Sequence, residues 1–201
     1  MSKRNTQPVR VLVVDHTAPV ASVRRRWARV VAESNIELTL LSPHAWPENS
    51  QWNDFQKDDD APYRTVVGRV TFPGREVRSI YLSGIVRAMK ESRPDVIVMM
   101  EESFSAFAVQ VLALRKLYAP DARVAFYACW ILAYDLIWYR PKAFFRWLNR
   151  RMLPRLDAAM CINEKATRAL HDEGFHGART NFFGVDETIF TRIPRDQARA
   201  T

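Results

Sequence analysis

The stretch VRVLVVDHTAPVASVRRRWARVVAESNIELTLL, residues 9–41, sets the fold class of this chain. Its first six residues are mostly valine, which predicts a strand buried on both faces, as in a parallel sheet. Apolar residues then recur at spacings of three and four over residues 20–31, which predicts a helix with one apolar stripe. A second strand is predicted at residues 36–41. The three elements together predict a βαβ unit with a right-handed crossover.

The same alternation continues along the chain. Further strands, each a short apolar run, are predicted at residues 63–70, 96–100, 122–128, 158–162 and 179–183. Further helices are predicted at residues 79–91, 104–118, 141–153 and 163–173, the last with Asn163 as its N-cap and Gly174 past its end. Residues 42–62 are rich in Pro, Asn and Asp and predict a long loop. We therefore expect an α/β domain at residues 9–183, a Rossmann-like parallel sheet flanked by helices.

Length and composition limit the class of protein. A chain of 201 residues that is 48% hydrophobic suits one packed domain. No uncharged apolar stretch approaches the roughly 20 residues that a membrane span needs, and the polar start does not lead into a signal peptide. Cys129 and Cys161 do not form a disulfide framework, which is typical of a reducing compartment. We expect a cytoplasmic protein, at most peripheral to the inner face of the membrane.

Glycine and histidine usage excludes two kinds of site. The chain has 6 glycines and none before Gly68, so it lacks the Gly-rich loops that bind phosphates after a first strand. This argues against one alternative, a self-sufficient flavodoxin-like nucleotide binder. His171 and His176 are five residues apart and do not share a helix face, so we predict no metal site.

Polar residues follow two of the predicted strands at their carboxyl ends, where parallel sheets bind ligands. His16 follows the first strand and could donate a hydrogen bond or act as a base, and Arg24 lies on the next helix. Glu101 and Glu102 follow residues 96–100. Buried acids need partners, so one could pair with an arginine of the first helix and the other could bind a sugar or helix amides. Alternatively, both carboxylates cap the following helix. His16, Glu101 and Glu102 are the catalytic candidates.

Aromatic and basic residues dominate the region after residue 128. Trp130 could stack on a sugar ring or a lipid, or belong to the core. Residues 140–155 hold six basic residues and no acid, with aromatics between them. This composition is typical of helices that lie on anionic membranes, with Arg146, Arg150 and Arg151 as candidate contacts. The alternative is a surface helix that packs its aromatics on the sheet. No nucleic-acid-binding module is recognisable, so we expect no nucleic-acid partner.

Residues 157–190, DAAMCINEKATRALHDEGFHGARTNFFGVDETIF, resemble the end of the N-terminal domain in glycosyltransferase family 4, which has the GT-B fold. The features that carry the resemblance are Asp157-Ala158, Asn163, Gly174, Gly184-Val185-Asp186 and Phe190. Glu101-Glu102-x-x-Ser105 with Gln110 resembles a second pattern, found in one branch of that family. The resemblance covers most of residues 9–190.

The resemblance implies that the chain is one half of a GT-B fold. It implies the N-terminal, acceptor-binding domain of a retaining, metal-independent glycosyltransferase that uses a nucleotide diphosphate sugar. In that family a C-terminal donor domain holds the nucleotide, so this chain alone would be inactive and would carry no cofactor. The expected partners are a sugar or lipid-linked acceptor, the absent donor domain and an anionic membrane surface. The alternative is a non-catalytic α/β binding module that acts at such a surface or on a protein partner.

The resemblance also assigns residues. The acceptor cleft would be lined by His16, Arg24, Glu101, Glu102, Ser105 and Trp130. Residues 184–201 would form a linker that begins with the interdomain hinge Gly184, Val185 and Asp186, and residues 1–8 would be a flexible terminus. Two loops depart from the family: Thr17-Ala18-Pro19 stands where many members have a glycine pair, and Cys129-Trp130 stands where many have a histidine.

Overall fold

The structure, a computed structural model, describes residues 7–48, 50–129, 142–181 and residue 184. Its strands are β1 Val9–Val14, β2 Ile36–Pro43, β3 Ala45–Glu48, β4 Gln51–Asp54, β5 Arg64–Gly68, β6 Val96–Met99, β7 Arg123–Ala128, β8 Ala158–Cys161 and β9 Ala178–Thr180. Its α-helices are α1 Ala21–Glu33, α2 Ile85–Ser92, α3 Ala106–Tyr118, α4 Lys142–Met152 and α5 Glu164–Asp172. Short 3-10 turns occupy Glu76–Arg78 and Leu153–Arg155.

Seven strands form one parallel sheet in the order β5-β2-β1-β6-β7-β8-β9. The chain builds from β1 outward to β5, then returns to the centre and builds from β6 outward to β9. The strand order therefore reverses between β1 and β6, and this is where open α/β sheets bind ligands. The expected Rossmann-like α/β fold, a parallel sheet flanked by helices, is confirmed.

Strand β1 is buried on both faces, as its valine-rich sequence predicts. Leu12 and Val14 pack into the larger core cluster, which includes residues of α2 and α3. Val13 points the other way and packs with Trp27 of α1 in a second cluster. The alternation of side chains along a strand explains this division.

Two predicted segments differ from the structure. Residues 42–62 are not a plain loop, because β3 and β4 pair in an antiparallel hairpin there. Trp46 on β3 is fully buried against His16 and Phe107, and this packing holds the hairpin on the domain. Trp52 on β4 stays 60% exposed.

The helix predicted at residues 79–91 begins only at Ile85. Gly84 precedes it with a φ of 90°, a conformation that ends any helix continuing from before it. A Cβ on Gly84 would lie 2.9 Å from Cα of Gly68, so the two glycines allow a close backbone approach. Residues 69–84, here called the strap, instead fold back on themselves through an antiparallel bridge between Val70 and Tyr81.

The last helix follows the prediction. The side chain of Asn163 accepts a hydrogen bond from the amide of Ala166 at 2.9 Å, as an N-cap does. Gly174 lies past the end of the helix with a φ of 85°. Within the described ranges, no helix is long and apolar enough to cross a bilayer.

Candidate functional site

A cleft of about 430 Å³ lies where the strand order reverses, outside the carboxyl ends of β1 and β6. It contains four of the six predicted acceptor contacts, namely His16, Glu101, Glu102 and Ser105. The cleft is also lined by residues of α1, β3, β7 and the strap. Its geometry is set largely by two networks of polar side chains.

The first network fixes the loop after β1 through Asp15, which is fully buried. One carboxylate oxygen accepts hydrogen bonds from the amide and hydroxyl of Thr17, at 3.0 and 2.7 Å. The other accepts from Arg26 at 2.6 Å and from Nε1 of Trp27 at 2.9 Å. Burial alone would raise the pKa of Asp15, but the charges of Arg26 and His16 and these hydrogen bonds lower it below its usual value. Asp15 is therefore ionised and anchors the loop that carries His16.

The second network is the pair formed by His16 and Glu101. Nδ1 of His16 is hydrogen-bonded to Oε1 of Glu101, whose side chain is 2% exposed. The imidazole ring also packs on Trp46, with the ring centroids 4.8 Å apart. With Nδ1 engaged by Glu101, Nε2 is the ring nitrogen left for a ligand in the cleft.

The charges around His16 favour a protonated imidazole. Burial would lower the pKa of His16, but the carboxylates of Glu101, Asp15 and Glu76 outweigh it and raise that pKa to about 9. Burial raises the pKa of Glu101, although the charge of His16 opposes the change. The pair therefore holds a proton at neutral pH, and the imidazole presents Nε2–H as a hydrogen-bond donor.

The structure adds a residue that the sequence analysis missed. Oε1 of Glu76 lies 3.9 Å from Nε2 of His16, and the Glu76 side chain is 42% exposed. Glu76 begins the 3-10 turn of the strap. The sequence shows only a Pro-Gly turn signal nearby, which predicts a bend and gives no reason to place this glutamate opposite His16.

Glu102 and Ser105 have largely structural contacts. Oε1 of Glu102 accepts a hydrogen bond from the amide of Cys129 at 2.7 Å, which ties the loop after β6 to the end of β7. Ser105 is the N-cap of α3 and accepts from the amide of Ala108 at 3.0 Å. The alternative in which the two glutamates cap this helix is therefore wrong. Glu101 pairs with His16 rather than with an arginine of α1.

Arg24 has a bracing role outside the cleft. Its guanidinium donates to the carbonyls of Ala18 and Pro19 at 2.7 and 3.0 Å, and to that of Gln56 at 2.9 Å. It also lies over the ring of Phe55 at 4.7 Å. In the described part of the chain, Arg26 lines the cleft and Arg24 does not. Two positions along a helix turn a side chain by about 200°, which separates the two arginines.

Three predicted residues, Trp130 of the acceptor site and Val185 and Asp186 of the hinge, lie outside the described residues. Gly184 is described and exposed. Over the ranges that the structure describes, no group of three His, Cys, Asp or Glu side chains could hold a metal ion.

A second candidate surface lies on α4. Phe145 packs inward on Phe104, and Asn149 is buried and accepts a hydrogen bond from Ser103. Phe144 and Trp147 are 49% and 52% exposed and stack on each other with centroids 5.8 Å apart. The basic residues Arg146, Arg150 and Arg151 are exposed beside them. The helix thus packs one aromatic on the domain and leaves two aromatics and three arginines outside.

A family model described as a glycosyl transferase 4-like domain matches residues 19–185. The matched range includes α1, the strap and the loop after β6, and so most of the cleft. This confirms the resemblance drawn from the sequence. No curated protein matches the chain significantly.

Proposed function

The chain belongs to the family of glycosyl transferase 4-like domains, and from this premise we propose that it is the N-terminal, acceptor-binding domain of a retaining glycosyltransferase. The sugar would come from a nucleotide diphosphate sugar. The new bond would form between the anomeric carbon and a hydroxyl oxygen of the acceptor, as the bond to the nucleotide's phosphate breaks.

The paired His16 and Glu101 at the reversal point of the sheet carry this proposal. Glu101 fixes the imidazole by holding Nδ1, and Trp46 packs on the ring. An oriented donor costs little entropy when it binds a ligand. Hydroxyl groups of a sugar are suitable partners, because each can accept a hydrogen bond. His16 orients the acceptor in this proposal, and its raised pKa makes it a poor base at neutral pH.

The charge of the cleft favours a separate site for the donor nucleotide. Four glutamates line the cleft against two cationic side chains, Arg26 and His16. Arg26 is moreover paired with the buried Asp15. A diphosphate placed here would face the carboxylates of Glu48 and Glu76, which disfavour it. We therefore assign the nucleotide sugar to a C-terminal donor domain, joined through a hinge at Gly184, Val185 and Asp186, without which the chain would be inactive.

The exposed face of α4 supports a second part of the proposal, attachment to an anionic membrane. Phe144 and Trp147 would enter the headgroup region while Arg146, Arg150 and Arg151 contact anionic lipids. Such attachment suits a lipid-linked acceptor and work at the cytoplasmic face of the membrane. The same surface would serve the alternative function, a non-catalytic binding module.

Nuclear magnetic resonance of the chain labelled with ¹⁵N-histidine tests the cleft. A neutral sugar, methyl α-glucoside, is expected to shift the Nε2 resonance of His16, while UDP and FMN leave it unchanged. The other three histidines, His44, His171 and His176, serve as internal controls. Tight binding of UDP or FMN at His16, or no response to the sugar, would contradict the proposal.

Sedimentation with vesicles of anionic or neutral lipid tests the α4 surface. The triple variant Arg146→Glu, Arg150→Glu, Arg151→Glu is expected to lose binding to anionic vesicles. The matched control Arg25→Glu, Arg87→Glu, Lys116→Glu changes the net charge equally at exposed positions on other helices and is expected to bind more strongly than the first variant. Equal binding by wild type and the α4 variant would eliminate the membrane proposal. Vesicle binding without any sugar response would favour the non-catalytic module.

A further inference from the structure

We propose that His16 and Glu76 together form a subsite for a single hydroxyl group, which makes the cleft select a neutral, hydroxyl-bearing acceptor over a phosphorylated one. This inference rests on the proposed function, because it concerns the acceptor that the cleft would bind. It goes further by naming a specificity-determining residue, Glu76, and the chemical class of the ligand.

The distance between the two groups fits a bridging hydroxyl. Oε1 of Glu76 and Nε2 of His16 are 3.9 Å apart, which is too far for a direct hydrogen bond. A hydroxyl oxygen placed about 2.8 Å from each atom would see them at about a right angle. The hydroxyl would accept a hydrogen bond from Nε2–H of His16 and donate a hydrogen bond to the carboxylate of Glu76.

This pairing of a donor and an acceptor discriminates among ligands. A hydroxyl group both donates and accepts, so it satisfies both partners. An ionised phosphate oxygen can only accept hydrogen bonds. It would therefore be repelled by the Glu76 carboxylate and could not donate a hydrogen bond to it. The site therefore favours the hydroxyl over a phosphate oxygen.

The strap holds the backbone of Glu76 in place. Gln110 of α3 clamps the strap, since its side-chain carbonyl accepts from the amide of Tyr81 at 2.8 Å and its amide donates to the Tyr81 carbonyl at 2.7 Å. Within the strap, the hydroxyl of Ser79 donates to the carbonyls of Phe72 and Arg75 at 2.8 and 2.9 Å. These bonds enclose the turn that begins at Glu76.

The surrounding charges act in the same direction. Glu48, Glu101 and Glu102 line the same cleft, and the nearby cation Arg26 is engaged by Asp15. A phosphate in this subsite would find no uncommitted cation in the described lining other than the imidazolium that Glu101 already holds. The discrimination against anions is thus a property of the whole cleft, while the preference for a hydroxyl depends on Glu76.

The test measures dissociation constants from the Nε2 resonance of His16 in the ¹⁵N-histidine-labelled chain. The probes are methyl α-glucoside and glucose 6-phosphate, and the variants are Glu76→Ala and Glu76→Gln. Glu33→Ala is the matched control, because Glu33 is an exposed glutamate on α1, away from the cleft. Thermal unfolding of each variant checks that the half-exposed Glu76 can be replaced without loss of the fold.

Wild type is expected to bind the glucoside about tenfold more tightly than glucose 6-phosphate, the size of one good charged hydrogen bond. Glu76→Ala is expected to lose about tenfold in glucoside affinity, while Glu33→Ala binds as wild type does. Glu76→Gln keeps an acceptor oxygen without the charge, so it retains glucoside binding better than Glu76→Ala and binds glucose 6-phosphate more tightly than wild type.

Two negative outcomes are distinguishable. Glucoside binding that shifts His16 equally in wild type and Glu76→Ala would overturn the hydroxyl subsite and leave the proposed acceptor cleft intact. A wild-type chain whose His16 responds to no sugar would overturn the proposed function and the subsite with it.

Discussion

The cleft beside His16 and the outer face of α4 differ in almost every physical respect. The cleft is concave and lined by four glutamates, and Asp15, Glu101 and His16 are all nearly buried there. The face of α4 is convex and basic, and it leaves Phe144 and Trp147 half exposed. The chain as a whole carries a net charge of +8. The surface of α4 has the same positive sign, and the cleft does not.

This difference shows that the net charge of a chain predicts the partner of one of its surfaces only when the positions of the charges are known. A positive net charge by itself favours an anionic partner, and the exposed arginines of α4 fit one. The cleft, which is the part of the fold that binds ligands, has the opposite character. Buried charges in the cleft are held by specific partners, whereas the charges on α4 are exposed and Arg150 lies 3.6 Å from Glu173, so variants in the two regions should behave differently.

The largest effect is expected from Asp15→Ala. The variant leaves Nε1 of Trp27 and the amide of Thr17 without an acceptor and frees the Arg26 charge. Breaking such a buried pair costs about 3 kcal/mol in the free energy of unfolding, measured by urea denaturation. The control Glu33→Ala breaks an exposed pair with Arg29 and should cost less than about 0.5 kcal/mol. Similar losses in both variants would contradict the contrast between buried and exposed charges.

The pH dependence of stability should originate in the cleft. The pKa of His16 is about 9 in the folded chain and about 6.5 when unfolded. Its contribution is therefore fully present below about pH 6.5 and is lost as the pH rises to about 9, on the order of 3 kcal/mol. The raised pKa of Glu101, which burial causes, acts in the same direction at lower pH.

Thermal unfolding between pH 6 and 9.5 measures this effect. His16→Gln should flatten the decline in stability, whereas His44→Gln, at an exposed position, should keep it. A decline of equal slope in wild type and His16→Gln would show that the pair does not control it.

A smaller effect is expected from Gln110→Ala, which removes the clamp on the strap. The amide and carbonyl of Tyr81 lose their partners, so the free energy of unfolding should fall by about 1–2 kcal/mol. Hydrogen exchange at the Tyr81 amide should accelerate more than exchange at Val13 in the sheet. Unchanged protection at Tyr81 would show that the strap, and Glu76 with it, is held by other contacts.

The smallest effect on stability is expected from the triple charge reversal on α4. Arg146, Arg150 and Arg151 are exposed, and exposed charges contribute little to folding. Urea denaturation should show a change within about 1 kcal/mol in total, although vesicle binding is lost. A loss as large as that of Asp15→Ala would mean that α4 needs its charges for folding and would remove the contrast with the cleft.

Much of the fold could be predicted, because local sequence patterns directly indicate many of its strands and helices. Short apolar runs indicated β1 and its neighbours, and Asn163 and Gly174 marked both ends of α5. The start of α2 could not be found in this way. The apolar residues before Gly84 have helical spacing, but Tyr81 is held in an extended bridge by Gln110, a contact across 29 residues. The hairpin β3–β4 likewise depends on burial of Trp46 in the core.

The site was predictable where it follows from topology and not where it depends on side-chain direction. His16 and Glu101 follow adjacent strands, so their proximity comes from the strand order. Whether Arg24 or Arg26 lines the cleft depends on which side of α1 faces it. The spacing of the apolar residues along α1 did not identify that side. Glu76 comes from the strap, whose course is set by tertiary contacts.

The central claim is that the cleft binds a sugar hydroxyl between His16 and Glu76. A structure determined from crystals of the chain soaked with methyl α-glucoside tests it most directly. We predict a sugar in the cleft at the carboxyl ends of β1 and β6, with one hydroxyl oxygen within hydrogen-bond distance of both Nε2 of His16 and a carboxylate oxygen of Glu76. A sugar bound only elsewhere, for example on the aromatic face of α4, would contradict this claim. Equal occupancy of the cleft by glucose 6-phosphate would also contradict it.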